Sequence, residues 1–388
     1  MSTAPGRFLV LSAGMGSGHH AVAAELSRRL TAGGGRTTTV DVLDLLPPGV
    51  GAGLRSFYRT VVRRAPVVYA GLYAAFFRGP GPGGLPRPGS APLAALAERR
   101  LLDLVARRRP DVVVPVFHLA AQLTGGLRAR GALAAPSAVV LTDFAVHRQW
   151  LHPGNDLHLC LTPEVASRVR RAVRRPTVVS GALVGPRFRA PAPTAGYWRR
   201  RFGSSDRPPV LVSTGAWGAG AGVADTARLL ASAGYRPVVL CGNDARLRRR
   251  VAGTGHADAL GWVDDMPGVM AAARALVDNA AGQTALEALA AGLPVVGYRA
   301  IPGHGREGVR QMAAHGLSDH APDPWALLRA LDEVTAPGPA RERRLSAARG
   351  LFRETGLLPL EELARAGRAC GDAAGSGTPG RLGGPGGV

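Results

Sequence analysis

Three glycines at alternate positions, Gly14, Gly16 and Gly18, run directly into the pair His19-His20 within "FLVLSAGMGSGHHAVAAEL", Phe8 to Leu26. Glycines there let a phosphate or hydroxyl come up against the main chain, and unpaired N–H groups at a helix start favour negative charge. An imidazole beside such a turn titrates near neutral pH and suits removal of a proton from a hydroxyl. The same residues also fit a tight strand-to-helix turn followed by a surface or helix-capping histidine. The pattern G-x-x-x-x-G-K-[ST] does not occur, which excludes a Walker loop. A dinucleotide reading takes Gly16, Gly18 and Ala21, with Asp41 on the ribose. A second glycine turn, "STGAWGAGAG" from Ser213 to Gly222, again lies between an apolar run and a helical pattern.

Strands and helices must hold these turns. "RFLVLS" reads as a strand, and Val22, Leu26 and Leu30 mark one apolar helix face that starts near His19 or His20. Further short runs follow, "TTTVDVLD", "DVVVPVF", "AVVLTD", "LHLCLT" and "PTVVSG", each separated by helical patterns, which predicts a parallel sheet flanked by helices. The prolines and charges of Gly185 to Pro209 read as a linker. A second series, "PVLVST", "RPVVLCG", "ADALGWV", "ALVDNA" and "LPVVGY", then begins. The expected organisation is an α/β chain of two Rossmann-like domains: residues 1–184, a linker 185–208, residues 209–340, a helical segment 341–370 and a disordered tail 371–388. Sites of such sheets lie beyond the carboxyl ends of the strands, so the turns at Gly14 and Gly215 are expected to face each other across a cleft.

With 48 basic residues, all Arg, against 27 acidic ones, the net charge of +21 points toward anionic partners, although abundant Gly, Pro and Ala suggest that coding bias contributes. Cys160, Cys241 and Cys370 lack the spacing of a zinc site or disulfide framework, which fits a cytoplasmic setting. His147, His152 and His158 come without a carboxylate pattern, so no metal is expected. No apolar run reaches the roughly 20 residues of a membrane span. Leu54 to Arg78 mixes Arg with aromatic and aliphatic side chains and reads equally as a segment lying on an anionic membrane or as two packed amphipathic helices.

Four stretches carry a family resemblance: Gly16 to Ala23, "PDVVV" at Pro110 to Val114, "TDFAVHRQW" at Thr142 to Trp150, and the whole of Leu260 to Gly316. They resemble the GT-B glycosyltransferases of the group containing MurG and monogalactosyldiacylglycerol synthase. The resemblance implies a GT-B fold, and in the second half it matches Gly261-Trp262-Val263, Ala281 to Thr284, Glu287-Ala288, Gly292-Leu293-Pro294 and Pro302-Gly303-His304. It implies a nucleotide-sugar site of Gly215, Trp217, Gly218, Trp262, Val263, Met266, Gln283, Thr284, Glu287 and His304. Glu287 would accept from ribose hydroxyls, and the helix opening at Gln283 and Thr284 would receive the diphosphate. Gly16, Gly18, Asp143, His147 and Trp150 would lie on the acceptor side, with Trp150 alternatively a core residue. Plant members carry an aspartate where Gly14 stands, which leaves His19 as the expected base.

The expected activity is an inverting transfer of a hexose from a UDP-sugar to a lipid hydroxyl such as that of diacylglycerol, without metal or cofactor. The expected partners are the nucleotide-sugar donor, the lipid acceptor and the anionic inner face of the cell membrane, touched peripherally from the cytoplasm, and no nucleic acid. A soluble acceptor and a nicotinamide oxidoreductase are the alternatives.

Overall fold

Apolar β-branched runs too short for helices form two parallel sheets, each covered by helices on both faces. The computed structural model describes residues 5–77, 89–203, 207–352 and 357–375, with side chains through Arg368. In the first half, β1 (Arg7–Ser12), β2 (Arg36–Asp41) and β3 (Val112–Pro115) pair in the order β2-β1-β3. A parallel bridge from Val113 to Ser137 continues this ladder to β4 (Ala138–Val140), β5 (Leu157–Cys160) and β6 (Thr177–Val179), paired in that order. The second half pairs β7 (Pro209–Ser213), β8 (Arg236–Leu240), β9 (Asp258–Leu260), β10 (Ala275–Asp278), β11 (Val295–Tyr298) and β12 (Asp319–Ala321) in the order β12-β11-β10-β7-β8-β9. The strand order reverses between β1 and β3 in one sheet and between β7 and β10 in the other. Loops leaving adjacent strands diverge at such a point and open a crevice.

The glycine turn after β1 feeds the helix Gly18–Ala32, whose Val22, Leu26 and Leu30 are buried as their spacing requires. The turn after β7 feeds the helix Val223–Ser232, with Val223, Ala227 and Leu230 buried. Leu54 to Phe77 falls in two helices, Val50–Arg64 and Pro66–Phe76, broken at Ala65 before a proline; residue 78 lies outside the described residues. The stretch expected as a linker contains a helix, Ala195–Arg201, and buries Phe188 and Phe202 in the core of the second half.

The last described helix, Leu358–Gly375, runs into the segment expected to be disordered, while 376–388 lie outside the described residues. This helix packs on the first sheet: Leu360 and Ala364 join Phe8, Val10 and Val112 in one core, and Arg368 donates to Asp111 at 3.0 Å. No described helix is long and apolar enough to cross a membrane.

Candidate active site

His19 sits in the first turn of its helix, beside the loop that leaves β3. Its Nδ1 is 3.0 Å from the carbonyl oxygen of Val116, which can only accept, so Nδ1 carries the proton and Nε2 keeps its lone pair. Burial holds this imidazole below its ordinary pKa, against the opposing pull of the Asp143 carboxylate and the Val116 carbonyl. A neutral ring with a fixed tautomer and a free basic nitrogen is what a general base requires. His20 points elsewhere: its Nδ1 is 2.9 Å from the buried Ser12 hydroxyl, and its Nε2 lies 3.7 Å from Asp41.

Asp41 accepts from the Gly14 N–H at 2.8 Å and from Arg55 at 2.9 Å, and it caps the next turn through Leu43. A side chain at position 14 would meet that carboxylate at 2.8 Å, so the turn needs glycine there. The dinucleotide reading loses its ribose ligand, because Asp41 is committed to the turn.

The other residues expected on the acceptor side gather beside His19. Asp143 accepts from the Trp150 indole at 2.7 Å, and His147 Nε2 lies 3.8 Å from the same oxygen. Trp150 is fully buried among Val139, Leu141 and Val165, and so forms the wall behind Asp143 instead of a face open to a ligand. Burial pushes His147 down to about 4 and His118 well below the usual imidazole range. Phe77 and Phe117 fill the space between these rings, with centroids 4.8 Å from His147 and 4.9 Å from His19 respectively. Gly16 lies in the turn and Gly18 opens the helix. Among the described residues no cluster of His, Cys, Asp and Glu could hold a metal ion.

Of the residues expected on the donor side, those after β7 and β10 lie at the reversal point of the second sheet, while Trp262, Val263 and Met266 follow the edge strand β9 and His304 follows β11. Gly215 and Gly218, both with positive φ, shape the turn after β7, and the indole of Trp217 reaches across to the Met15 carbonyl at 3.1 Å. After β10, buried Asp278 accepts from the N–H groups of Ala280 and Ala281 and delivers the chain to the helix Gln283–Ala290, which starts at Gly282 without a side-chain cap. Gln283 reaches the Leu183 carbonyl at 3.2 Å, and Thr284 follows it in the open first turn. Burial raises Glu287 on this helix to about 7, although the Arg187 charge and a Gln283 hydrogen bond pull it down. Trp262 is 51% exposed, its N–H bound to Asp264 at 2.9 Å, and Val263 and Met266 are half-buried against the core. His304 begins the helix His304–Ala314 and meets Tyr69 of the first half.

That last contact belongs to a set that the sequence did not reveal. Arg63 pairs with Asp244, Arg59 lies over the Trp217 ring, and Val61, Val62 and Tyr69 pack with Ala219. Their partners are far away in sequence, and no local spacing signals them. The Val116 carbonyl and Phe117 were equally hidden, because a main-chain oxygen leaves no trace in residue type.

Residues 19–180 match the family model described as monogalactosyldiacylglycerol (MGDG) synthase. The matched residues make up less than half of the chain and lie within its first half. The chain is 26% identical over 231 residues to a processive diacylglycerol beta-glucosyltransferase of Bacillus pumilus, a match covering 58% of this chain and 60% of the relative. A Bacillus subtilis protein of the same description is 24% identical over 55% of this chain and 57% of its own length. The chain therefore spans less than two thirds of these relatives in the match. Among solved structures, MurG of Acinetobacter baumannii superposes with a TM-score of 0.54 at 13% identity, covering 94% of this chain and all of MurG. Os79 of O. sativa, solved in complex with UDP, superposes with a TM-score of 0.60 at 16% identity, covering 93% of this chain and 99% of that one. The fold is GT-B, and the MGDG synthase match falls on the half that carries His19, Asp143 and His147.

Proposed function

We propose that the chain is an inverting glycosyltransferase that moves a hexose from a UDP-sugar to the hydroxyl of a lipid such as diacylglycerol. The observation that carries this reading is His19, whose tautomer is fixed by Val116 and whose Nε2 stays basic beside the cleft. His19 takes the proton of the acceptor hydroxyl as its oxygen attacks the anomeric carbon. The bond from that carbon to the β-phosphate oxygen breaks, and the electron pair leaves with UDP. Asp143 offsets the charge of the imidazolium. The uncapped N–H groups at Gln283 and Thr284 and the main chain at Gly215 receive the diphosphate, which needs no metal there. Glu287, with a pKa near neutrality, can both donate to and accept from the ribose hydroxyls. Trp262, Val263 and Met266 offer an apolar face to the base. The relatives named for diacylglycerol support the lipid acceptor, and the UDP bound by Os79 supports the donor.

The helices Val50–Arg64 and Pro66–Phe76 support peripheral contact with the anionic inner face of the membrane from the cytoplasm. Val67 is 82% exposed, with Val68 and Phe57 also open, and Arg64 is exposed near them. Incubating the protein with UDP- and GDP-sugars and diacylglycerol should yield glycolipid from a UDP-sugar, and no product from any pairing would refute the reading. Co-sedimentation should occur with anionic vesicles and weaken in Val67→Ser, whereas equal sedimentation of the variant would clear these helices of the role.

A further inference from the structure

The hydrogen bond between Tyr69 and His304 joins side chains 235 positions apart, one from each half of the chain. Both rings have aromatic neighbours. Tyr58 meets Tyr69 edge-on at 5.8 Å, and Tyr69 meets His304 edge-on at 5.7 Å. Tyr73 closes the site over Gly303, where φ is +83° and an added Cβ would meet the Tyr73 ring at 2.8 Å. Glycine is therefore required at 303 twice over, and it sets where the following helix begins. Val61, Val62 and Ala219 surround this contact, with Ile301 packed against them.

A neutral imidazole has one N–H and one lone pair, and the hydrogen bond at one nitrogen decides the role of the other. Burial holds His304 below its ordinary pKa, against the opposing pull of the Asp143 carboxylate. Of the two neutral forms, the one with the proton on Nε2 is the one in which Tyr69 donates. Nδ1 then bears the lone pair and accepts the Tyr69 O–H. We propose that Tyr69 is a positioning residue for the donor: it fixes His304 as an Nε2–H donor to an oxygen of the transferred hexose. This rests on the glycosyltransferase reading and deepens it. The hexose is recognised by both halves together, and the nucleotide alone gains nothing from Tyr69. Sugar recognition and closure of the two halves are then a single event.

The test has two parts. The ring nitrogen-15 shifts of His304 in the wild-type protein should show Nε2 protonated and Nδ1 bare; the opposite tautomer overturns the proposal, whether or not the protein transfers sugar. Tyr69→Phe keeps the ring and removes the donor, so KM for the UDP-sugar should rise by up to about tenfold, the equivalent of one lost hydrogen bond, with UDP affinity unchanged. In a His304→Ala background the same substitution should add nothing, because one acts through the other. Equal weakening of UDP and UDP-sugar, an unchanged KM, or additive losses would each overturn the positioning role. A wild-type protein with no affinity for any UDP-sugar would instead refute the functional reading itself.

Discussion

The indole N–H of Trp217 donates to the main-chain carbonyl of Met15 across 3.1 Å, which ties the glycine turn of the second sheet to that of the first. Arg59 lies over the same indole at 5.5 Å from its centroid, so one side chain is held by two elements of the opposite half. Trp217→Phe keeps a ring and loses the donor. The loss of about 1 kcal/mol expected for one hydrogen bond should raise the donor KM about fivefold, read in steady-state assays. An unchanged KM would show that the two turns do not need this tie during turnover.

Adjacent histidines provide an internal control for the base. His19→Ala should lower kcat by about 10²–10⁴ while leaving UDP affinity intact, as for loss of a general base. His20→Ala should cost far less, because that ring is engaged with Ser12 and directed toward Asp41. The reverse ranking of the two variants would move the base to His20.

Glu287 makes a pH prediction with a definite sign. Burial raises its carboxyl from 4.5 to about 7, so the folded chain binds a proton that the unfolded chain releases. The stability this group contributes is complete below pH 4.5 and is lost as the pH rises through 7. Glu287→Gln does not titrate. Its stability relative to the wild type should grow between pH 5 and pH 8, by at most on the order of 3 kcal/mol, in urea unfolding at the two pH values. A difference independent of pH would contradict the buried carboxyl.

The buried histidines act in the opposite direction. His147 and His158 are both held down to about 4 by burial, and neither ring nitrogen of His158 has a partner among the described residues. The unfolded chain binds protons at pH 6.5 that the folded chain refuses, so stability present above pH 6.5 is lost as the pH falls toward 4. By pH 5 each ring should cost about 2 kcal/mol. His158→Leu should flatten that acid limb in denaturant titrations, and an unaltered limb would remove His158 as its source.

Much of the architecture was legible because parallel strands buried on both faces are written as unbroken apolar runs. "RFLVLS" became β1 and "PVLVST" became β7, and the helix after each turn followed from the spacing of Val22, Leu26 and Leu30 and of Val223, Ala227 and Leu230. β12, Asp319–Ala321, escaped notice because three residues with a histidine among them carry no apolar signature. The helix Ala195–Arg201 was hidden by the prolines and charges around it, which read as linker while Phe188 and Phe202 anchor the segment to a core.

Residue type and order alone determined the two sheets, the two glycine turns and the histidine beside the first of them, because backbone conformation and burial are set by near neighbours in the chain. Only the tertiary structure decided which partner each histidine takes, since His19 and His20 differ by one helical step of about 100° and His19 meets Val116 while His20 meets Ser12. It alone returned the helix Leu358–Gly375 to the first sheet, and it alone brought Tyr69 to His304. Contacts of that span depend on how whole layers pack, and neither of the two residues involved records its partner.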